Sequence, residues 1–441
     1  MPTPPRVNAY QPNVSPVPSS SFARLVGLGG LVAGIGGRLA VGAVHQVASG
    51  NRPNLSDLLL TPTNARKVTQ QLSQLRGAAL KMGQLISMDT GDFLPREVAQ
   101  VFAQLRADAD HMPPQQLRGV LDTAWGKGWI SHFARFDVRP IASASIGQVH
   151  RAQTKDGRDL AIKVQYPGVR GSIDADVSNV AALLRLSGMV PGALDLAPML
   201  AQARAQLHEE ADYLREGAQL AQFGSLLAQN PAFLVPKLHS DLSSPNVLAM
   251  DFIDSHPIED MATAPQADRD RVITLLIRLI MDEFFRFNLM QTDPNFANFR
   301  FAPVTKQIVL LDFGATRSFS PDLAPQFRAM LAATDRVAID QSARAIGYFD
   351  TTTAPNMQTA LVDMMQMALA PLQSDQPFDF ATTDLLHRLR DRGLALGTGG
   401  DFAHVPPMEV LYLHRKAAGL FLLAHRLGAR IPLAPLLAEY Q

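Results

Sequence analysis

The sequence predicts an α+β body in two lobes, and three observations predict it. Strand-type alternation first appears at Ile141, in "IASASIGQVHRAQTKDGRDLAIKVQ". From Asp268 onward the apolar residues recur mostly at helical intervals, interrupted by "QTDPNFANF" (Gln291–Phe299) and "QIVLLDFG" (Gln307–Gly314). The chain has 441 residues, too many for one small core. Strands first, helices after, and a loop-rich middle fit an α+β arrangement better than an alternating one.

Residues 1–21 are rich in Pro and Ser and read as a disordered tail. They have neither the charged start and apolar core of a secretory signal nor the Arg-rich pattern of a mitochondrial presequence. Residues 22–50 form a small-residue apolar segment, expected to pack on the protein or to lie on a bilayer. Its run "LVGLGGLVAGIGG" falls between Arg24 and Arg38 and is short of the roughly 20 apolar residues of a spanning helix. Gly30 and Gly34 make a G-x-x-x-G that permits close helix contact.

Residues 51–139 read as an N-terminal helical extension. Val68, Leu72, Leu75, Leu80 and Leu85 recur at helical spacing, and Pro95 and Pro113 open two further helices. Residues 140–255 follow as the strand-bearing lobe: a hairpin turning at Lys155-Asp156-Gly157, the strand "LAIKVQ", helices over 174–186 and 197–227, and strands in "FLVPKLH" and "NVLAMDFI". Residues 256–441 form the helical lobe. Its stretch "RVITLLIRLIMDEFFRF" is interrupted by Arg271, Arg278, Asp282, Glu283 and Arg286, so it reads as a buried helix and not a membrane span.

Composition excludes several chemistries. Hydrophobic residues at 47% argue against general disorder. Lys+Arg and Asp+Glu are both 40, which gives no support to a nucleic-acid partner. With no cysteine there is no disulfide, thiolate metal site or cysteine nucleophile. The 11 histidines show no H-x-x-H or H-E-x-x-H spacing, so no zinc site is expected, and His150 and His414 read as structural.

The order of the remaining polar motifs is informative. Phosphoryl transfer asks a protein to hold phosphates, bind magnesium and orient a nucleophile. Protein kinases meet these needs with a small-residue loop, a strand lysine, a helical glutamate, D-x-x-x-x-N and D-F-G, in that order. Here the loop is Ala142, Ser143, Ala144, Ser145 and Gly147, and Lys163 sits in "LAIKV". Glu216 lies on a later helix, Asp293 and Asn298 keep the D-x-x-x-x-N spacing, and Asp312, Phe313 and Gly314 follow "IVLL". Each signal is weak alone; together, in this order, they predict a protein-kinase-like two-lobed fold that binds ATP and magnesium. Two features depart from kinases. The loop reads "ASAS" where glycines would let backbone amides close on phosphates, and Gln291-Thr292 precede the aspartate in place of His-Arg.

These departures, with what precedes them, resemble the UbiB family of atypical kinases, associated with ubiquinone (coenzyme Q) biosynthesis. "KMGQ" (Lys81–Gln84) is similar to its K-x-G-Q signature and "IASASIGQVHRA" to its Ala-rich loop, with Ser143 where alanine is usual. "EADYLRE" (Glu210–Glu216) is similar to its E-x-D segment plus the helical glutamate, and "QTDPNFANF", "LLDFGA" and "LYLHRKAAGLFLLAHRLGARI" are also family-like. The resemblance runs from about Ala65 to the end of the chain.

It implies that Lys163 contacts the α/β-phosphates and pairs with Glu216. Asn298 and Asp312 would hold magnesium, and Asp293 would sit where a kinase keeps its base. Lys81 and Gln84 would lie on the extension that covers the active site and restricts protein substrates, with Glu210 and Asp212 as further site-covering residues. Glu210 and Asp212 are two apart and do not share a regular helix face, so if Glu210 faces Lys81 the helix must begin late or bend there; otherwise Glu209 is the better partner, though it reads as solvated. The implied function is a magnesium-dependent ATPase supporting ubiquinone synthesis at a membrane surface. A protein or small-molecule kinase and a nucleotide-binding scaffold are the alternatives. Implied partners are the nucleotide, lipid quinone intermediates or an anionic membrane, and other quinone-pathway enzymes, with a homodimer left open. The expected location is cytoplasmic, peripheral at a bacterial inner membrane, in preference to mitochondrial.

Overall fold

The computed structural model describes residues 111–186, 197–397 and 406–440. The tail, the small-residue segment, Lys81, Gln84 and most of the helical extension lie outside the described residues. The chain divides into two units: residues 1–218 with 237–252, and residues 219–236 with 253–441.

The strand-rich unit opens with α1 (Pro114–Trp125), led by Pro113 and Pro114. Proline suits this position because its fixed φ is helical and its missing N–H would have had no partner. Trp125, Trp129, Phe133 and Phe136 then pack largely edge to face at 4.9–5.8 Å, joining α1 to β1 (Phe133–Phe136). β2 (Ala142–Ser143) and β3 (Gly147–Thr154) lead into β4 (Asp159–Gln165) across the turn at Lys155–Gly157. Gly157 takes φ +93°, which favours glycine there.

The helices α2 (Val169–Leu186), α3 (Ala197–Glu210) and α4 (Tyr213–Leu226) follow. The long helix expected over 197–227 is thus broken at Ala211-Asp212. Asp212 caps the new helix: its Oδ1 accepts the N–H of Arg215 at 3.1 Å. β5 (Phe233–Leu234) belongs to the other unit, and β6 (Val247–Asp251) completes this sheet in the order β1-β3-β4-β6, with β2 on β3. All pairings in it are antiparallel. The strand expected along "FLVPKLH" is only two residues long, because Pro236 has no N–H to continue a ladder. β4 is buried along nearly its whole length, so Lys163 at its centre is carried into an apolar interior.

His150 on β3 is a structural histidine. Gln148 Nε2 donates to its Nε2 at 2.8 Å, and its Nδ1 donates to the carbonyl of Asp137 at 2.8 Å. Burial pulls its pKa down to about 4, so the ring stays neutral.

The helical unit is built on α5 (Gln266–Phe285), which buries Val272, Leu276, Leu279 and Phe284 along one face. Each such side chain contributes about 1.5–3 kcal/mol. β7 (His256–Pro257) precedes it. β8 (Leu289–Gln291), β9 (Phe299–Ala302), β10 (Gln307–Leu310) and β11 (Thr316–Ser318) follow it. They form a four-stranded sheet, β5-β10-β9-β7, and a two-stranded ribbon, β8-β11. The parallel pairing of β5 with β10 explains why residues 219–236 group with this unit and not with the strand-rich lobe expected over 140–255. Helices α6 (Leu323–Ala332), α7 (Arg336–Ile346), α8 (Pro355–Leu369) and α9 (Leu385–Gly397) come next. β12 (Phe378–Asp379) precedes α9 and pairs with β13 (Arg430–Ile431). Between them α10 (Met408–Leu427) packs on α5, and α11 (Ala434–Leu437) ends the described chain. No helix among the described residues is long and apolar enough to cross a membrane.

Candidate functional site

In the strand-rich unit, Lys163 Nζ donates to both carboxylate oxygens of Glu216, at 2.8 and 2.9 Å. Both side chains are buried, at 7% and 1% exposure. The ammonium also stands 5.1 Å from the centre of the Tyr213 ring. A buried charge pair needs near-ideal geometry to offset desolvation, and the bidentate contact supplies it. Glu216 is in position because α4 starts afresh after the Asp212 cap, placing Glu216 one turn later with its N–H on the Asp212 carbonyl.

The Ala-rich loop is short and hydrogen-bonded. Ala142 and Ser143 pair with β3, and the Ala144 N–H donates to the Gly147 carbonyl at 2.9 Å. Ser145 Oγ donates to Glu210 Oε2, so Glu210 faces this loop from the end of α3. Glu209 is half-buried, not solvated. Gly147 is buried within β3 and lies outside the positive-φ glycines. A Cβ there would come within 2.4 Å of the Val164 carbonyl oxygen and 2.8 Å of the Tyr213 hydroxyl. Close strand packing therefore accounts for this glycine.

In the helical unit, the "QTDPNFANF" loop leaves β8 and is tied down residue by residue. The Thr292 N–H and Oγ1 both donate to the Ala315 carbonyl, at 3.1 and 2.7 Å. Asn298 Nδ2 donates to Asp293 Oδ2 at 3.2 Å, so the five-residue spacing closes into a contact. Asn295 Oδ1 accepts from the Ala297 N–H and starts the single 3₁₀ turn that brings Asn298 back. The Leu311 N–H donates to the Asn298 carbonyl at 3.1 Å, which sets the D-F-G stretch beside this loop. Asp312 Oδ1 accepts the Gly314 N–H at 3.0 Å, and Phe313 is buried against Phe223 at 4.7 Å.

The donor set here fits magnesium. Asn298 uses its amide nitrogen on Asp293, leaving its carbonyl oxygen, a hard donor, as the other end of the group. Asp312 adds a carboxylate. No three His, Cys, Asp or Glu side chains cluster as a metal cage among the described residues. Magnesium with phosphate oxygens and water needs only one or two protein ligands.

Sequence reasoning passed over three residues beside this loop. Lys416 on α10 is 3% exposed, and its Nζ donates to Gln291 Oε1 at 2.7 Å. Glu283 on α5 is 1% exposed and accepts the Gln291 N–H at 3.3 Å. Gly419 is met by Pro294. A signal was present: Glu283 falls four residues after Leu279 and seven after Leu276, on the apolar face, where a carboxylate is out of place. Lys416 likewise shares the buried face of α10 with Gly419 and Leu423.

Comparison with known proteins follows the same lines. The model of the ABC1 atypical kinase-like domain matches residues 104–343. The chain is 37% identical to the atypical kinase COQ8, mitochondrial, of Saccharomyces cerevisiae, over 96% of this chain and 85% of that one. It is 35% identical to the atypical kinase COQ8B, mitochondrial, of Rattus norvegicus, over 94% and 79%. A solved structure, the complex of Rv3197 with erythromycin from Mycobacterium tuberculosis, superposes with TM-score 0.59 at 24% identity, covering 86% of this chain and 95% of that one, which speaks to the fold alone. The names of the two relatives overturn the expected bacterial inner-membrane location, since both carry the word mitochondrial. The N-terminal composition misled because it does not show the Arg-rich pattern of a presequence.

Proposed function

The chain belongs to the UbiB family of ABC1 atypical kinase-like proteins, and from that premise we propose that it is a magnesium-dependent ATPase supporting ubiquinone assembly at a membrane surface in the mitochondrion. The observation that carries the nucleotide reading is the buried bidentate pair of Lys163 with Glu216. A lysine held this way is fixed in position, as a phosphate ligand must be. In this reading Lys163 binds the α/β-phosphates and Glu216 orients it. Asn298 and Asp312 hold magnesium, which when bound neutralises charge on phosphate oxygens. Asp293, its carboxylate steadied by the Asn298 amide, orients the attacking water.

Ser145 ties the Ala-rich loop to Glu210 at the end of α3, and in this reading the loop covers phosphates less completely than a glycine loop and leaves room for water as acceptor. Lys81 and Gln84 enter on the resemblance alone, as residues that restrict protein substrates. A second reading, transfer to a protein or small molecule, is favoured by Asp293 in hydrogen bond with Asn298, the arrangement a kinase uses. Lipid quinone intermediates, an anionic bilayer and other quinone-pathway enzymes are the proposed partners.

The test is ATP hydrolysis by the full chain with magnesium, with and without anionic liposomes, alongside Asp312→Asn. Lipid-stimulated turnover lost in the variant supports the ATPase. Binding of nucleotide without turnover in either condition, joined to label transfer onto a purified substrate, supports the kinase. Turnover that survives Asp312→Asn refutes the metal assignment.

A further inference from the structure

The loop that carries Asp293 is held from two sides, by α10, remote in sequence, and by α5, just before it. Lys416 and Gly419 stand three apart on α10 and so share one face. Lys416 grips Gln291 through the 2.7 Å bond to its side chain. Gly419 receives Pro294: a Cβ at position 419 would lie 2.3 Å from the Pro294 Cβ and 3.2 Å from its carbonyl oxygen. From α5, Glu283 holds the Gln291 N–H. The residue two before Asp293 and the residue just after it are thus both seated, and Asp293 stands between them.

Packing alone does not ask for these residues. A helix laid against a loop could bury leucine or methionine at 416 and 283 without desolvating two charges. The charges come at a cost. Burial pulls the Lys416 pKa down and pushes the Glu283 carboxyl up to about 7. The network is also incompletely bonded: Glu283 Oε2 and Gln291 Nε2 are buried without a hydrogen-bond partner. These residues line a cavity of about 10 Å³ together with Asn298 and Asp312. A group that gives up bonding and still reaches the loop at two points serves geometry better than stability.

We propose that Lys416, Glu283 and Gly419 are positioning residues for phosphoryl transfer, which seat Gln291 and Pro294 and thereby fix where Asp293 presents its carboxylate to the attacking group. The inference rests on the phosphoryl-transfer reading of Asp293. None of the three touches substrate. Their effect falls on kcat, because a loop displaced by about 1 Å can lower turnover by up to roughly a hundredfold while ground-state binding is kept.

The experiment compares the unsubstituted full chain with Gly419→Ala, with the double variant Lys416→Met/Glu283→Leu, and with Asp293→Asn. Each is assayed for cooperative melting and for kcat and KM with magnesium and ATP. Alanine is the better helix former, so Gly419→Ala perturbs the loop without weakening α10 itself. The double variant removes both charges together, so that neither is left buried without the other. The expected result is a cooperative melt in both, kcat down about tenfold or more, and KM for ATP within about twofold. A folded variant of either kind with kcat within about twofold of the unsubstituted chain overturns the proposal. So does failure of both variants to melt cooperatively, since the role is then structural. Asp293→Asn separates the two levels: if turnover survives it, the reading of Asp293 falls and takes this inference with it. If turnover is lost there but kept in a folded Gly419→Ala, the inference alone falls.

Discussion

Each unit of the molecule buries a lysine beside a glutamate, and the two pairs are built differently. In the strand-rich unit Lys163 meets both oxygens of Glu216 at 2.8 and 2.9 Å. In the helical unit Lys416 is bonded to a neutral amide, Gln291, while Glu283 leaves one oxygen unbonded. The first geometry gives the ammonium both carboxylate oxygens. In the second, desolvation wins in part: it draws the lysine toward losing its proton and the carboxyl toward keeping one. Burial is similar in the two, and it is the hydrogen bonding that differs.

That contrast can be broken experimentally, and the largest effect belongs to the complete pair. Glu216→Ala removes the bidentate partner of the buried Lys163 ammonium, and should cost about 3–5 kcal/mol in urea unfolding. The Lys163→Met/Glu216→Leu double variant should recover most of that loss while nucleotide binding stays absent. Recovery of stability with no loss of binding would separate the pair from the nucleotide.

The incomplete pair predicts a pH dependence instead. The Glu283 carboxyl is raised from 4.5 to about 7. The folded state therefore binds this proton more tightly than the unfolded chain does. The contribution is fully present below pH about 4.5 and is lost as pH rises through about 7, by roughly 3 kcal/mol at 1.36 kcal/mol per unit. Lys416, lowered, opposes this at high pH, where its stability penalty is relieved. Unfolding midpoints from pH 4 to 8 should lose that decline in Glu283→Gln. An unchanged profile would mean that Glu283 is ionised in the fold.

A smaller effect is expected at Gly147. Alanine there must push against the Val164 carbonyl and Tyr213, costing about 1–3 kcal/mol in stability, read by thermal melting. The smallest is the control. Arg278 and Glu439 meet at 2.9 Å, as close as Lys163 and Glu216, but are 45% and 46% exposed. Arg278→Ala should cost below about 1 kcal/mol. A larger loss would show that distance, and not burial with bonding, sets the value of a pair here.

Much of the site could be read from residues close together in the chain. Asp293 and Asn298 are joined by one turn of loop, and the hairpin turned where Gly157 stands. The break in the helix over 197–227 was visible as a conflict, because Glu210 and Asp212 could not both face one way. Its resolution needed the Asp212 cap. The need for glycine at 147 lies on the neighbouring strand, and Lys416 was passed over because its partner Gln291 is 125 residues away along the chain.

The sequence by itself determined the kind of fold, the order of the phosphoryl-transfer groups and the family, since periodicity and motif spacing are local properties of the chain. Tertiary structure alone decided which charges are satisfied, which glycines are obligatory, and that α5 and α10 brace the Asp293 loop. Those depend on desolvation and on close contact between separate elements, such as Lys416 and Gln291 at 125 residues apart, and no spacing rule along one segment encodes them.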